Sequence, residues 1–335
     1  MNPALQAMIT MIVGIGGCIV YFYGANLLLD KVLYPAKGPN AGRNINRANM
    51  IRPWLFLLPA ILALGLYLAY PVFATLRLSF LERLPGNEYA FVGFENYTKM
   101  FAEPKFTEAM INNVLWLVVV PAASTALGLL VAQLTDRLPW GNIAKSIIFM
   151  PMAISFVGAA VIFKLVYEAR PVDVAQIGIL NHLYLTFGGE EPQQWLTIPF
   201  WNNFFLMIVL IWIQTGFAMV ILSAALRGIP EETVEAAIID GANPVQIFFK
   251  IKIPQITSTI VVVWTTITIA TLKVFDIVFA MTNGQWETQV LANYMYDKLF
   301  RANDWGMGSA AAMIIMLMVT PILVWNVYNA RKEMR

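Results

Sequence analysis

Charged side chains are scarce in this chain. Asp, Glu, Lys and Arg make up 13% of its 335 residues, against 59% hydrophobic residues, whereas soluble domains carry about 25% charge. That deficit excludes an ordinary soluble globular protein. Cys18 is the only cysteine, so no internal disulfide can form. His182 is the only histidine, which excludes a histidine-based metal cluster. No GxxxxGK string followed by Ser or Thr occurs, so the chain does not cradle ATP phosphates by that route. The net charge of +2 is too small to point to nucleic acid. The alternating polar and apolar pattern of an outer-membrane barrel is missing, as are low-complexity tracts and long linkers.

What is present is apolar length. About 20 apolar residues, rising about 1.5 Å each, cross a hydrocarbon core about 30 Å thick. Seven stretches are long enough: Met8–Leu29, Trp54–Leu76, Asn113–Leu134, Ser146–Tyr167, Asn203–Leu226, Ile256–Met281 and Met307–Asn329. The expected fold is an all-α polytopic membrane protein with about seven transmembrane helices. No Lys or Arg precedes Lys31, so the first stretch reads as a retained span rather than a signal peptide. Residues 1–50 read as an N-terminal helix with its linker, and residues 51–335 as one integral membrane domain.

Basic residues in the connections set orientation. Lys31, Lys37, Arg43, Arg47, Arg52, Arg137, Lys145, Arg227, Lys250, Lys252, Arg331, Lys332 and Arg335 fall on one side. Arg77, Arg83, Lys99, Lys105, Arg170, Lys298 and Arg301 fall on the other, where most acidic residues also lie. The expectation is an outside N-terminus and a cytoplasmic C-terminus.

The stretch 227–255 then lies in the cytoplasm. It contains "GIPEETVEAAIIDGANP". Pro230 suits a first helical turn, and Glu231 and Glu232 favour the positive end of the helix dipole. Gly241 is placed to end that helix with a positive φ. Asn243, Pro244 and Gln246 form the pattern of a capped second helix. Ala236 and Ala237 let another surface approach closely, and Glu235 and Asp240 add charge beside them. That is how a docking element would be built, although amphipathic helices of this kind also simply pad the membrane interface.

Polar residues inside spans are costly and face cavities or partners. The fifth span offers Trp212, Gln214 and Thr215; the sixth offers Thr268, Thr271, Lys273 and Asp276. An aromatic face with convergent amides and hydroxyls suits a sugar. The same residues have plainer readings. Thr hydroxyls bond their own i−4 carbonyls, Lys273 and Asp276 neutralise each other, and Trp212 packs helix on helix. By spacing, Lys164 and Glu168 read as an interfacial pair, Asn112 and Asn113 as caps at a span's start, and His182 as a surface residue. No clustered acid–base or metal set points to catalysis, so no catalytic or metal-binding residue is expected.

Glu235-Ala236-Ala237, Asp240-Gly241-Ala242, Phe248, Ile251 and Pro254 resemble the EAA loop of binding-protein-dependent ABC importer permeases. "FVGFENYTKMF" (Phe91–Phe101) and "LKVFDIVFAMTNG" (Leu272–Gly284) are similar to segments of the carbohydrate type, nearest to maltose/α-glucoside permeases. The resemblance covers residues 50–335 and implies a type I permease core of six helices plus one N-terminal helix. It implies a second permease subunit, a dimer of ATPase subunits carrying ATP and Mg, and a periplasmic or extracellular sugar-binding protein. The setting it implies is a bacterial cytoplasmic (inner) membrane. Glu235, Ala236, Ala237, Asp240, Gly241 and Ala242 would contact the ATPase, and no cofactor is expected in this chain. A tryptophan at the position of Trp212 lines the sugar site in maltose-type permeases, but Leu210 and Gln214 stand where the family has Asn and Gly. A stand-alone secondary transporter would show inverted repeats, which this chain lacks. A glycerol-phosphate-type importer would share these motifs.

Overall fold

The computed structural model describes residues 3–86, 88–136 and 138–333. Arg137 and Arg335, two residues behind the orientation expectation, lie outside them. Helix dominates, because backbone in hydrocarbon must satisfy its N–H and C=O groups within the segment. Among the described residues the strands are two: β1 (Leu81–Arg83) and β2 (Tyr89–Phe91), antiparallel with Glu82 opposite Ala90.

The chain divides into two compact units, Met1–Ala74 and Thr75–Arg335. In the first, α1 (Pro3–Leu27) continues as a π-helical turn to Leu33, and α2 (Ala41–Leu64) follows. Helix α1 buries no side chain, as expected where the solvent is lipid. Tyr21 donates to the Leu55 carbonyl at 2.8 Å, and Arg52 pairs with Asp30 at 2.6 Å. Helix α3 (Tyr70–Leu78) comes next.

The second unit holds α4 (Glu95–Ala102), α5 (Pro104–Thr135), α6 (Gly141–Phe149), α7 (Phe156–Val166), α8 (Ile179–Thr186) and α9 (Trp201–Arg227). After these come α10 (Glu231–Ile239), α11 (Pro244–Ile247), α12 (Ile253–Gln255), α13 (Thr257–Leu272), α14 (Asp276–Met281), α15 (Leu291–Tyr296) and α16 (Trp305–Glu333). Its core is the seam of α5, α9 and α13, with Trp116, Val120, Leu206, Met219, Leu222 and Ile267 fully buried. Small residues bring these helices together. A Cβ on Gly128 would stand 2.4 Å from the Ala218 Cβ, and one on Gly216 2.6 Å from the Ile148 carbonyl oxygen. Helix α9 is thereby pressed against α5 on one side and α6 on another.

Five helical segments are long and apolar enough to cross a membrane unbroken, or seven if each of two bent pairs is one span. Two predicted spans therefore need correction. Ser146–Tyr167 is not one helix: Gly141–Ala153 and Phe156–Val166 meet at 104°. Pro151 lies in the 3-10 turn Met150–Ala153, and Ser155, extended at φ −64° and ψ 150°, starts α7 afresh by accepting the Gly158 N–H at 3.1 Å. Ile256–Met281 starts where predicted, at a 73° bend between Pro244–Gln255 and Thr257–Leu272, but is interrupted at Lys273–Phe275.

Three smaller expectations also change. Helix α5 begins at Pro104, so Asn112 and Asn113 sit well inside it rather than capping it. Lys164 and Glu168 do not pair: Lys164 reaches the Ala280 carbonyl at 3.3 Å, and Glu168 pairs with Arg170 at 3.3 Å. Between Lys273 and Asp276 the helix is broken, and they form no ion pair among the described residues.

Candidate functional site: a coupling loop and a membrane cavity

Two features built by different physics stand out. The first is the turn between α9 and α13. Pro230 precedes α10, Glu231 and Glu232 occupy its first turn, and Gly241 ends it at φ +82°. The Asn243 side chain accepts the Gln246 N–H at 2.8 Å, and the Gln246 side chain accepts the Asn243 N–H at 2.9 Å. This reciprocal cap fixes the start of α11. The second helix then runs on through a π-helical turn, Phe248–Lys252, into α12.

Ala237 is the residue of α10 that is buried; Glu235, Ala236, Asp240 and Gly241 are exposed, and Ala242 is half-buried. Ile239 is 85% exposed and Ile238 58%. Neighbouring large apolar side chains this far from cover are what a partner surface uses. Beneath α10, Arg227, Ile229, Glu231, Val234, Glu235 and Lys252 line a hollow of about 490 Å³.

The second feature is a cavity of about 430 Å³ at the break before α7. Met152, Ile154, Ser155, Phe156, Val157, Ile213, Gln214 and Asp276 line it. Three interruptions of regular helix create it: the 3-10 turn, the Ser155 cap, and the Lys273–Phe275 break that sets Asp276 at the start of α14. Non-helical backbone at membrane depth is tolerated only where it is buried in protein or lines a cavity. Gln214 and Asp276, from different predicted spans, come together here. The lining holds one carboxyl, one amide and one hydroxyl on an apolar wall, with no basic side chain.

The other predicted path residues lie elsewhere. Trp212 is half-buried, and its ring meets Phe163 edge-on with centroids 5.4 Å apart. Thr215, Thr268 and Thr271 donate to the carbonyls of Ile211, Trp264 and Ile267 at 2.7, 2.7 and 2.8 Å. Thr271 is wholly buried. Lys273 faces a separate, largely apolar hollow beside Phe275, Met295 and Tyr296.

Two groups escaped sequence reasoning. Ser155 lines the cavity; its signal was a proline and a serine four residues apart in an otherwise apolar run. Asp136, just past α5, collects Lys145, Ser223 (2.9 Å) and Arg227 (3.0 Å) from α6 and α9. Burial alone would raise the Asp136 carboxyl. The hydrogen bonds from Lys145, Ser223 and Arg227 outweigh it and hold the group below its usual range.

Residues 124–334 match the family model described as "Binding-protein-dependent transport system inner membrane component". The chain belongs to this family. It is an inner-membrane permease component, and its matched region takes in both the loop at residues 227–255 and the cavity.

The chain is 60% identical over 337 residues to the alpha-glucoside transport system permease protein AglF of Rhizobium meliloti (strain 1021), covering 99% of each chain. It is 47% identical over 283 residues to the osmoprotective compounds uptake permease protein GgtC of Synechocystis sp. (strain ATCC 27184 / PCC 6803 / Kazusa), covering 84% of this chain and all of that one. Its fold is similar to that in a crystal structure of a bacterial ABC transporter involved in the import of the acidic polysaccharide alginate. The TM-score there is 0.72 at 21% identity, over 87% of this chain and 98% of that one. The type I importer permease fold is therefore that of this chain.

Proposed function

We propose that this permease carries an α-glucoside or related oligosaccharide inward, forming the path with a second permease and drawing force from a separate ATPase dimer. A sugar-binding protein delivers the substrate from the periplasmic or extracellular side. The observation that carries the substrate class is the end-to-end 60% identity with a permease named for alpha-glucosides. The cavity's chemistry fits: Gln214 and Asp276 can bind sugar hydroxyls, and the apolar wall can cover a ring face. A glycerol-phosphate compound fits worse, because Asp276 would repel its anion and no basic side chain in the lining offsets that charge.

In this reading residues 227–255 lie in the cytoplasm with the C-terminus, and the N-terminus lies outside. Glu235, Ala236, Ala237, Asp240, Gly241 and Ala242 meet the ATPase, and the exposed Ile238 and Ile239 fill its groove. ATP and Mg belong to that subunit, and hydrolysis takes place there. Gln214 and Asp276 contact the sugar, while Trp212, Thr215, Thr268, Thr271 and Lys273 shape the helices around it.

The test is uptake by the reconstituted transporter of radiolabelled maltose, competed by a panel of unlabelled solutes. Competition by other α-glucosides, with none by glycerol phosphate, is the expected result. Absence of maltose uptake, with a labelled compatible solute carried instead, would replace the substrate with the kind suggested by the 47% identical osmoprotectant permease.

A further inference from the structure

The coupling loop and the cavity are joined by a side-chain cluster that neither feature by itself requires. Asp136 caps the C-terminus of α5, its N–H bonded to the Ala132 carbonyl at 3.1 Å. Its Oδ1 accepts from Ser223 Oγ at 2.9 Å and Arg227 Nε at 3.0 Å, both on the last turns of α9, and from Lys145 Nζ on α6. Lys145 Nζ also donates to Ser223 Oγ at 2.6 Å. One carboxylate oxygen thus gathers three donors from two helices. The Asp136 and Lys145 side chains are only 18% and 12% exposed, so they are screened less than a surface pair.

Each partner has a second role. Arg227 is the last residue of α9 and lines the hollow beneath α10. Lys252, at the far end of the coupling loop, lines the same hollow and donates to Gln133 on α5 at 3.3 Å. Both ends of the loop are therefore fastened to the last turn of α5. Lys145 sits in the middle of α6, which runs into the 3-10 turn Met150–Ala153 and then the 104° bend. Met152, Ile154, Ser155, Phe156 and Val157, on both sides of that bend, form a wall of the cavity.

We propose that Asp136 and Lys145 are positioning residues that lock α6 to the base of the coupling loop, so that a push on α10 is delivered through α6 to the bend lining the substrate cavity. This inference rests on the transport reading above and goes beyond it. Helix α6 has no covalent route to α10 except through α7, α8 and the whole of α9. Without the cluster the loop can tilt about the end of α9 while α6 keeps its place. With it, displacement of the loop must carry α6 and the cavity wall along.

The test uses the whole transporter, with its second permease and ATPase, in proteoliposomes with the loaded binding protein. Asp136→Asn and Lys145→Gln should leave the assembly intact and ATP hydrolysis stimulated, while maltose transported per ATP falls about tenfold. Lys145→Arg should restore it. A merely structural cluster would lower the amount of assembled transporter and leave the ratio unchanged, and that result overturns the proposal. A second readout needs neither sugar nor transport. Spin labels at Val245→Cys and Ile143→Cys, in a Cys18→Ser background, report the distance from loop to α6. ATP binding should leave that distance fixed in the parent and change it in Lys145→Gln. A distance that responds alike in both overturns the lock even where maltose is not the substrate. Loss of maltose uptake in the parent, with the distance result as expected, would instead remove only the sugar reading.

Discussion

Asn112 donates both amide hydrogens to the chain beyond α14, one to the Glu287 carbonyl at 2.9 Å and one to the Gln289 carbonyl at 2.8 Å. Asn113 next to it accepts the Leu291 N–H at 2.7 Å, Asn203 donates to Glu287 at 3.2 Å, and Asn202 donates to Trp286. The loop they grip holds Asn283, Trp286 and Glu287 at positive φ, a conformation that asparagine tolerates but that costs Trp286 and Glu287 about 1–2 kcal/mol each. Buried amides are what hold this backbone in place.

Asn112→Leu should therefore destabilise the protein. It strands two carbonyls and removes two hydrogen bonds, for a loss of about 2–3 kcal/mol. The detergent-purified variant should melt several degrees lower. Uptake should weaken as the loop loosens, and a variant that melts and transports like the parent would dispose of the clamp.

Gly241 sits at φ +82° with open space where a Cβ would go. Backbone strain rather than crowding therefore makes glycine matter here. Gly241→Val should open the angle between α10 and α11 and cut uptake at least tenfold, with the permease still in the membrane. Gly241→Asn, which tolerates the left-handed conformation, should retain most transport. Equal activity in both variants would show that the angle is not used.

The difference between what the sequence showed and what it hid is one of range. Pro230, Gly241 and the Asn243–Gln246 cap act within one turn of themselves, so their geometry could be read off residue types. The seven apolar stretches were legible for the same reason, hydrophobicity being a local sum. The bend at Ser155 was not, because Pro151 is tolerated at the start of a turn and the apolar run continues past it. Asn112 was misread because its partners are carbonyls 175 and 177 residues away, which no spacing rule reaches. Gln214 and Asp276 were picked out as costly residues within spans. Only the interruptions that bring them to one cavity told them apart from Thr271 and Trp212.

Asp136 yields a prediction with a definite sign. Its folded carboxyl lies below the usual 3.8, so the stability it contributes is fully present above that value. It is lost only as pH falls through the lower folded value. The melting temperatures of parent and Asp136→Asn should differ by a constant few degrees from about pH 8 down to about pH 5 and converge only below about pH 4. A gap that closes already near neutral pH would mean that another group carries the effect.

Gln214 and Trp212 lie two residues apart on α9 and should fail in opposite ways. Gln214 lines the cavity, while the Trp212 ring packs on Phe163. Gln214→Ala removes the cavity's one amide, the group proposed to bind sugar hydroxyls, and leaves the packing largely alone. It should raise the KM for maltose about tenfold, a loss of about 1.4 kcal/mol, at unchanged protein yield. Trp212→Ala removes a half-buried ring packed between α7 and α9, which costs about 1–3 kcal/mol, less than a fully buried ring would. It should lower the amount of assembled transporter while the molecules that survive keep their KM. Uptake kinetics normalised to permease content separate the two. A KM that rises for Trp212→Ala and stays fixed for Gln214→Ala would move the sugar from the cavity at the Ser155 bend to the α7–α9 face around Phe163.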